Sequence, residues 1–258
     1  MLFLRLIINT IKVSDCIVII PTYNEKENIE RIIRKVFSLE GDFNILIIDD
    51  NSPDGTASIV NKLAGEFEHR LFLIERPGKL GLGTAYISGF KWAMGNQYQY
   101  IFEMDADFSH NPDDLLRLYD VCKNKGADLA IGSRYVSGIN VINWPLKRVL
   151  MSYMASVFVR KITGMPIMDT TAGFKCYRHT VLETIDAEKI KMKGYGFQIE
   201  MKFKTWKYGF KIIEIPIIFT DRKEGTSKMS GGIFGEAFKG VIKMKIASYF
   251  KTYKRKSE

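Results

Sequence analysis

The run Tyr100-Ile101-Phe102-Glu103-Met104-Asp105-Ala106-Asp107-Phe108-Ser109-His110 passes within a few residues from apolar to twice acidic. Its first five residues read as a buried strand, and Asn111-Pro112 follows as a break. Side chains alternate along a strand, so Asp105 and Asp107 share a face if the strand continues and converge if it turns there. Paired carboxylates suit Mg²⁺ or Mn²⁺, hard ions that also accept oxygens from a substrate phosphate. The same residues fit a plain strand exit, in which Asn111 caps a helix opening at Pro112 with Asp113 and Asp114 in its first turn.

Outward from this run the chain alternates between strand and helix patterns. Cys16 to Ile20 is a continuous apolar, β-branched run stopped by Pro21, as expected of a strand covered on both faces. Glu27 to Leu39 carries Ile29, Ile32, Ile33 and Val36 at helical spacing, and Ile45 to Ile48 is a second apolar run. Helices are expected over Ala57 to Ala64, Gly81 to Met94 and Pro112 to Lys123, and strands over Leu71 to Glu75 and Leu129 to Gly132. This rhythm predicts an α/β fold, a Rossmann-like and mainly parallel sheet with helices on both faces.

In such sheets ligands bind beyond the carboxyl ends of the strands. Here those ends carry Thr22 to Glu25, Asp49 to Asp54 and Asp105 to Ser109, three polar loops facing one crevice. Asp54 or Thr56 suffices to cap the following helix, which leaves Asp49 and Asp50 as surplus carboxylates. Gly78 to Thr84 places glycines and Lys79 before a helix start, where an anion can sit.

Beyond Arg134, Leu146 to Ile162 mixes apolar and basic residues, with Arg148 and Ser152 four apart on one helical face. Asp169-Thr170-Thr171-Ala172-Gly173 is an acidic loop before a short strand, Phe174 to Tyr177. Gly196 to Lys207 reads as a helix. Lys211 to Phe219 reads as a strand interrupted by Pro216, hence near an edge. Thr220 to Lys228 is a polar, net-basic loop. Ile233 to Tyr253 has a helical apolar stripe, and no acid occurs from Ala237 to Ser257. That pattern fits a helix lying on an anionic membrane surface, and equally a core-packing helix with a solvated tail.

The bulk properties narrow the function classes. A chain of 258 residues, 46% hydrophobic and 26% charged, has the composition of a folded globule. No run approaches the ~18 apolar residues of a membrane span. Met1 to Ile11 is apolar but broken by Arg5 and lacks a cleavage signature, so residues 1–15 read as an N-terminal extension rather than a signal peptide. The net charge of +9 asks for an acidic partner: nucleic acid, anionic membrane or a phosphorylated substrate. Acidic loops at the strand ends argue against nucleic acid. Cys16, Cys122 and Cys176 are far apart and read as small hydrophobes in a reducing cytoplasm.

Taken together, Pro21-Thr22-Tyr23-Asn24-Glu25, Asp49 to Thr56, Gly81 to Tyr86, Met104 to Asp107, Gly132-Ser133-Arg134-Tyr135 and Asn143-Trp144-Pro145 resemble a family 2 glycosyltransferase, most similar to the dolichol-phosphate mannosyltransferases. The resemblance covers roughly Cys16 to Lys245. It implies a glycosyltransferase A-type fold over residues 16–230, a nucleotide-sugar half over about 16–135 and an acceptor half over about 136–230. Residues 231–258 would form the amphipathic basic helix and tail. It further implies GDP-mannose as donor, Mg²⁺ or Mn²⁺, a polyprenyl phosphate acceptor and peripheral attachment at the cytoplasmic face of the membrane, with a membrane-anchored partner subunit.

By position, Pro21, Tyr23, Glu25 and Asp50 would hold the guanosine, with Ala106 beside the donor. Asp105 and Asp107 would sit at the metal and diphosphate. Arg134, Arg148 and Ser152 would bind the acceptor phosphate. Arg222, Ser227 and Lys228 would close over the phosphates, and Asp169 would orient the sugar or acceptor. At the third metal position, where many relatives carry glutamine, this chain has Ser109. Two rival readings are a UDP-glucose-dependent transferase on the same scaffold and a non-catalytic module that docks on anionic surfaces.

Overall fold

The computed structural model describes residues 14–192, 194–221 and 233–255. In chain order the elements are β1 (Cys16–Thr22), α1 (Lys26–Phe37), β2 (Phe43–Asp49), α2 (Thr56–Ala64), β3 (Leu71–Glu75), α3 (Leu82–Gly95), β4 (Tyr100–Glu103), α4 (Asp114–Lys123) and β5 (Leu129–Ser133). They continue with β6 (Val141–Ile142), α5 (Leu146–Thr163), β7 (Lys175–Arg178), α6 (His179–Ile185), α7 (Tyr195–Lys207), β8 (Ile212–Pro216), β9 (Phe219–Thr220) and α8 (Ile233–Tyr249).

Seven strands form one sheet in the order β3-β2-β1-β4-β7-β5-β8, and β6 pairs with β9 in a small second sheet. All neighbours in the large sheet are parallel except β7, which runs antiparallel to both β4 and β5. The apolar runs of β1 and β2 are buried on both faces, as their lack of alternation predicts. One core layer joins α3, α6, α7 and Val241 of α8 to the sheet, and the opposite layer uses α1, α2 and α4. A Cβ on Gly89 would fall 2.6 Å from Ile19 Cγ2, so this glycine lets α3 lie directly on β1.

Two features of the topology position the site. Strand order reverses direction at β1, whose neighbours are β2 and β4, so the loops after β1 and β4 diverge and open a crevice. The reversed β7 begins where its neighbours end: Lys175 pairs with Glu103 at the end of β4 and with Ile131 near the end of β5. The loop before it, Asp169 to Phe174, is thereby delivered to the edge where β4 and β5 present their carboxyl-end residues.

The element boundaries depart from the sequence reading in two places. The fourth helix starts at Asp114, because Asn111-Pro112-Asp113 forms a turn in which Asn111 Oδ1 accepts the Asp113 N–H at 3.1 Å. The run Lys211 to Phe219 divides at Pro216, giving β8 at the sheet edge and β9 against β6. A proline supplies no ladder N–H, so the edge is where it is tolerated.

Candidate active site

A cleft of 1480 Å³ opens along the carboxyl edge of the sheet. This exceeds the ~300–1,000 Å³ usual for one small ligand and suits two substrates side by side. On one side it is lined by Pro21, Tyr23, Glu25, Asp50 and Lys79, whose ammonium stands 4.7 Å over the Tyr23 ring.

The two consecutive aspartates after β2 do different work. Asp49 is fully buried and accepts from Thr22 Oγ1 at 2.8 Å, Ser52 N at 2.8 Å and Ser52 Oγ at 2.6 Å, which ties the loops after β1 and β2 together. Asp50 reaches the cleft and is held there by Arg76, whose Nε donates to Oδ1 at 2.6 Å, and by Leu80 N–H at 3.2 Å. Arg76 also donates to Thr84 Oγ1 at 2.9 Å, so it joins the end of β3 to the glycine loop before α3. Asp54 supplies the local cap, its Oδ1 accepting Thr56 N–H at 3.0 Å.

At the centre lie Asp105, Ala106, Asp107 and Ser109, all lining the cleft. Phe108 takes a left-handed conformation with φ of 58°, which curls the chain so that Ser109 N–H donates to Asp107 Oδ1 at 3.0 Å. Ser109 Oγ is buried and has no hydrogen-bond partner among the described residues. Two carboxylates and an orphaned hydroxyl are hard oxygen donors and fit Mg²⁺ or Mn²⁺ completed by substrate oxygens. No group of three or more His, Cys, Asp or Glu placed to hold a metal occurs among the described residues.

His110 is the neighbour that fixes this turn. Its buried ring stacks on Phe174 at 4.9 Å, and Nδ1 accepts the Asp105 N–H at 3.3 Å. Burial drives its pKa down to about 4 against the pull of Asp107, so the ring is neutral near pH 7 and its Nδ1 lone pair is available to accept.

Across the cleft Arg134 leaves the end of β5 into the clamp of Asp169. Nε donates to Asp169 Oδ2 and Nη2 to Oδ1, each at 2.6 Å, while the Arg134 main-chain N–H reaches Oδ2 at 3.0 Å. Nη2 also donates to Thr171 Oγ1 at 2.8 Å. Nη1 makes no hydrogen bond among the described residues, which leaves its two N–H groups for a ligand. Burial opposes the Asp169 charge, but Arg134 outweighs it and holds the carboxyl below the usual range. Trp144 and Phe219 each lie 5.5 Å from the guanidinium. Arg148 stacks over Trp144 at 4.0 Å and pairs with Asp221 at 2.8 Å.

The structure thus gathers Pro21, Tyr23, Glu25, Asp50, Asp105, Ala106, Asp107, Ser109, Arg134 and Arg148 around one cleft. Two expected site residues are not part of its lining. Ser152 accepts from Tyr135 OH at 2.7 Å, and the Tyr135 ring lies 5.2 Å from the Arg134 guanidinium. Asp169 is fully buried, with both oxygens accepting from Arg134. Arg222, Ser227 and Lys228 lie outside the described residues. Arg76 and His110 were not singled out by sequence reasoning. The signal for the first is a basic residue closing a strand before Pro77, and for the second its place directly after the acidic motif.

A Rossmann-like sheet whose carboxyl edge carries paired acids opposite a buried arginine defines a glycosyltransferase of the A-type fold. The chain belongs to glycosyl transferase family 2, whose model matches residues 17–186. It is 46% identical over 221 residues to a polyprenol monophosphomannose synthase of Mycolicibacterium smegmatis, covering 86% of this chain and 83% of the relative. It is 42% identical over 230 residues to an undecaprenyl-phosphate mannosyltransferase of Micrococcus luteus, covering 89% and 93%. Among solved structures it is similar to glucosyl-3-phosphoglycerate synthase of Mycobacterium tuberculosis in complex with phosphoglyceric acid, with a TM-score of 0.66, 14% identity and coverage of 89% and 79%. The same enzyme with Mn²⁺, UDP-glucose and phosphoglyceric acid gives a TM-score of 0.63 at 16% identity, covering 90% and 78%. At these identities the likeness concerns the fold.

Proposed function

We propose that this protein transfers mannose from GDP-mannose to a polyprenyl monophosphate, forming a β-linked polyprenyl phosphate mannose. The observation that carries this reading is the Arg134 guanidinium, clamped by Asp169 with Nη1 left over, in the same cleft as Asp105 and Asp107. One side of the cleft fits a metal-bound diphosphate and the other a phosphate monoester. The names of the two curated relatives support mannose and a polyprenyl phosphate as the pair.

The chemistry follows from charge. Asp105, Asp107 and Ser109 would hold Mg²⁺ or Mn²⁺, which when bound would supply positive charge at the nucleoside diphosphate leaving group. A phosphate monoester has its second pKa near ~6 and is largely ionised at neutral pH, so no strong general base is needed. Arg134 and Arg148 bring that anion close to the donor despite repulsion, the guanidinium fork matching paired phosphate oxygens. Direct attack inverts the anomeric centre. Asp50, held by Arg76, offers acceptors to the guanine N–H groups from beside Tyr23. Arg222 and Lys228 would add charge over the phosphates.

A lipid acceptor places the enzyme at a membrane surface, and the fold presents one. Adjacent helices α5 and α8 expose Leu150, Met154, Ile242, Ile246 and Tyr249, with Lys147, Lys239 and Lys243 nearby. No helix among the described residues is long and apolar enough to cross a membrane, so attachment through this face would be peripheral, at the cytoplasmic side, with or without an anchored partner subunit.

The test is transfer of radiolabelled mannose from GDP-mannose into organic-extractable lipid, with polyprenyl phosphate and Mg²⁺, for wild type and Asp105→Ala. Label that requires acceptor, metal and Asp105 supports the reading. Transfer from UDP-glucose instead would replace the donor, and no transfer from any nucleotide sugar by folded protein would sink the reading.

A further inference from the structure

Below the floor of the cleft, α7 sends Lys202 into a site with no solvent exposure. Its Nζ lies 3.1 Å from the carbonyl oxygen of Thr170, 2.7 Å from that of Ala172 and 3.3 Å from that of Gln198. A neutral amine has two N–H groups and a lone pair, while an ammonium has three N–H groups and no lone pair. Three acceptors and no donor around Nζ therefore match the ammonium. Burial, with Lys175 adding to it, pushes the group well below the usual lysine range, and Asp169 and Glu103 pull the other way.

The charges around Lys202 are already matched in pairs. Lys175 meets Glu103 at 3.0 Å with both side chains fully buried, and Arg134 meets Asp169 at 2.6 Å. Lys202 forms no ion pair among the described residues, and Glu214, a further carboxylate at this loop, accepts the Met168 and Asp169 N–H groups at 2.6 and 2.9 Å. An unmatched buried charge costs several kcal/mol unless dipoles or a counter-ion offset it. The carbonyls supply the dipoles. Those of Thr170 and Ala172 belong to the loop that carries Asp169 and Thr171, the two groups clamping Arg134, whereas that of Gln198 is in α7 itself; Thr171, Ala172 and Gly173 form the cleft wall.

We propose that Lys202 is a positioning residue for the acceptor anion: its buried ammonium holds the loop that clamps Arg134. This rests on the acceptor reading above. The loop that Lys202 grips meets the loop after β4 through Phe174, which stacks on His110 at 4.9 Å, while both residues clamping Arg134 lie within the gripped loop itself. The larger effect is accordingly expected on the acceptor.

The test compares wild type with Lys202→Met and Lys202→Gln, the second keeping amide N–H donors for the carbonyls while removing the charge. Each variant is first checked for a cooperative thermal transition. Initial rates are then measured with GDP-mannose and polyprenyl phosphate varied in turn, and binding of a short-chain prenyl phosphate is titrated separately. Both variants are expected to raise the acceptor KM and weaken prenyl phosphate binding about tenfold, leaving the donor KM within about twofold. Wild-type acceptor binding in folded Lys202→Gln, or donor and acceptor KM rising together, overturns the proposal. If wild type transfers no mannose yet binds prenyl phosphate more tightly than Lys202→Gln, the donor reading fails and the role of Lys202 stands. If wild type binds no prenyl phosphate, both fall.

Discussion

Replacing Asp169 by asparagine removes the charge of a fully buried carboxylate while keeping its shape. In the native protein that carboxylate accepts three hydrogen bonds from Arg134, two of them at 2.6 Å from the guanidinium. The amide of Asp169→Asn turns an N–H₂ toward one of those donors, and Arg134 is left buried without its counter-charge. Breaking one side of a buried pair costs about 3–5 kcal/mol. Unfolding entropy of about 2.1 cal/mol/K per residue gives about 0.5 kcal/mol/K for a chain of this length, so the midpoint should fall by about 6–9 °C. The sign of the pH dependence is also fixed. Because the folded pKa of Asp169 is depressed, the pair's stabilisation is complete above the ordinary carboxylate pKa of about 4 and is lost as pH falls through the lower folded value. Calorimetric melts from pH 7 down to pH 2 should therefore show a lower plateau and a flatter acid limb for the variant. Transfer assays on the same preparations should show a raised acceptor KM, because Nη1 is no longer aimed. A variant that melts within 1 °C of wild type and keeps its acceptor KM would refute the clamp.

Three further outcomes follow from named contacts. Arg76→Met frees Asp50 from its partner and should raise the donor KM about tenfold or more with little change for the acceptor, measured by initial rates, while Arg76→Lys restores part of the loss. Gly89→Ala drives a methyl into Ile19 and should destabilise by about 1–3 kcal/mol in a denaturant titration, in line with other overpacked cores. Ile246→Glu with Phe250→Glu, at positions 54% and 88% exposed, should leave folding intact and weaken sedimentation with anionic vesicles at least thirtyfold, or about 2 kcal/mol. Unchanged sedimentation would rule out that face as the attachment surface.

The sequence by itself determined the sheet and the acidic edge of the cleft. Apolar β-branched runs such as Cys16 to Ile20 and Ile45 to Ile48 have no face to offer water, so they become interior parallel strands, and the polar residues at their carboxyl ends must meet in a crevice. Asp50, Asp105 and Asp107 stood out for that reason, because each lies within three residues of the end of such a run. Pro216 likewise marked the edge strand, since it cannot donate to a ladder.

Only the tertiary structure decided the Arg134 side of the cleft. The antiparallel setting of β7 depends on which neighbours it finds, not on Lys175 to Arg178 themselves, and it is this reversal that brings Asp169 onto Arg134 across 35 residues of chain. An aspartate in a loop looks alike whether it meets substrate or holds an arginine, and only the fold shows Asp169 buried against Arg134. Helical spacing placed Ser152 near Arg148, and the fold adds Tyr135 as its hydrogen-bond partner. Lys202, an ordinary charge on a helix pattern, became a buried cation because α7 packs that face beneath the cleft. Periodicity states which residues share a face, and packing alone decides what that face meets.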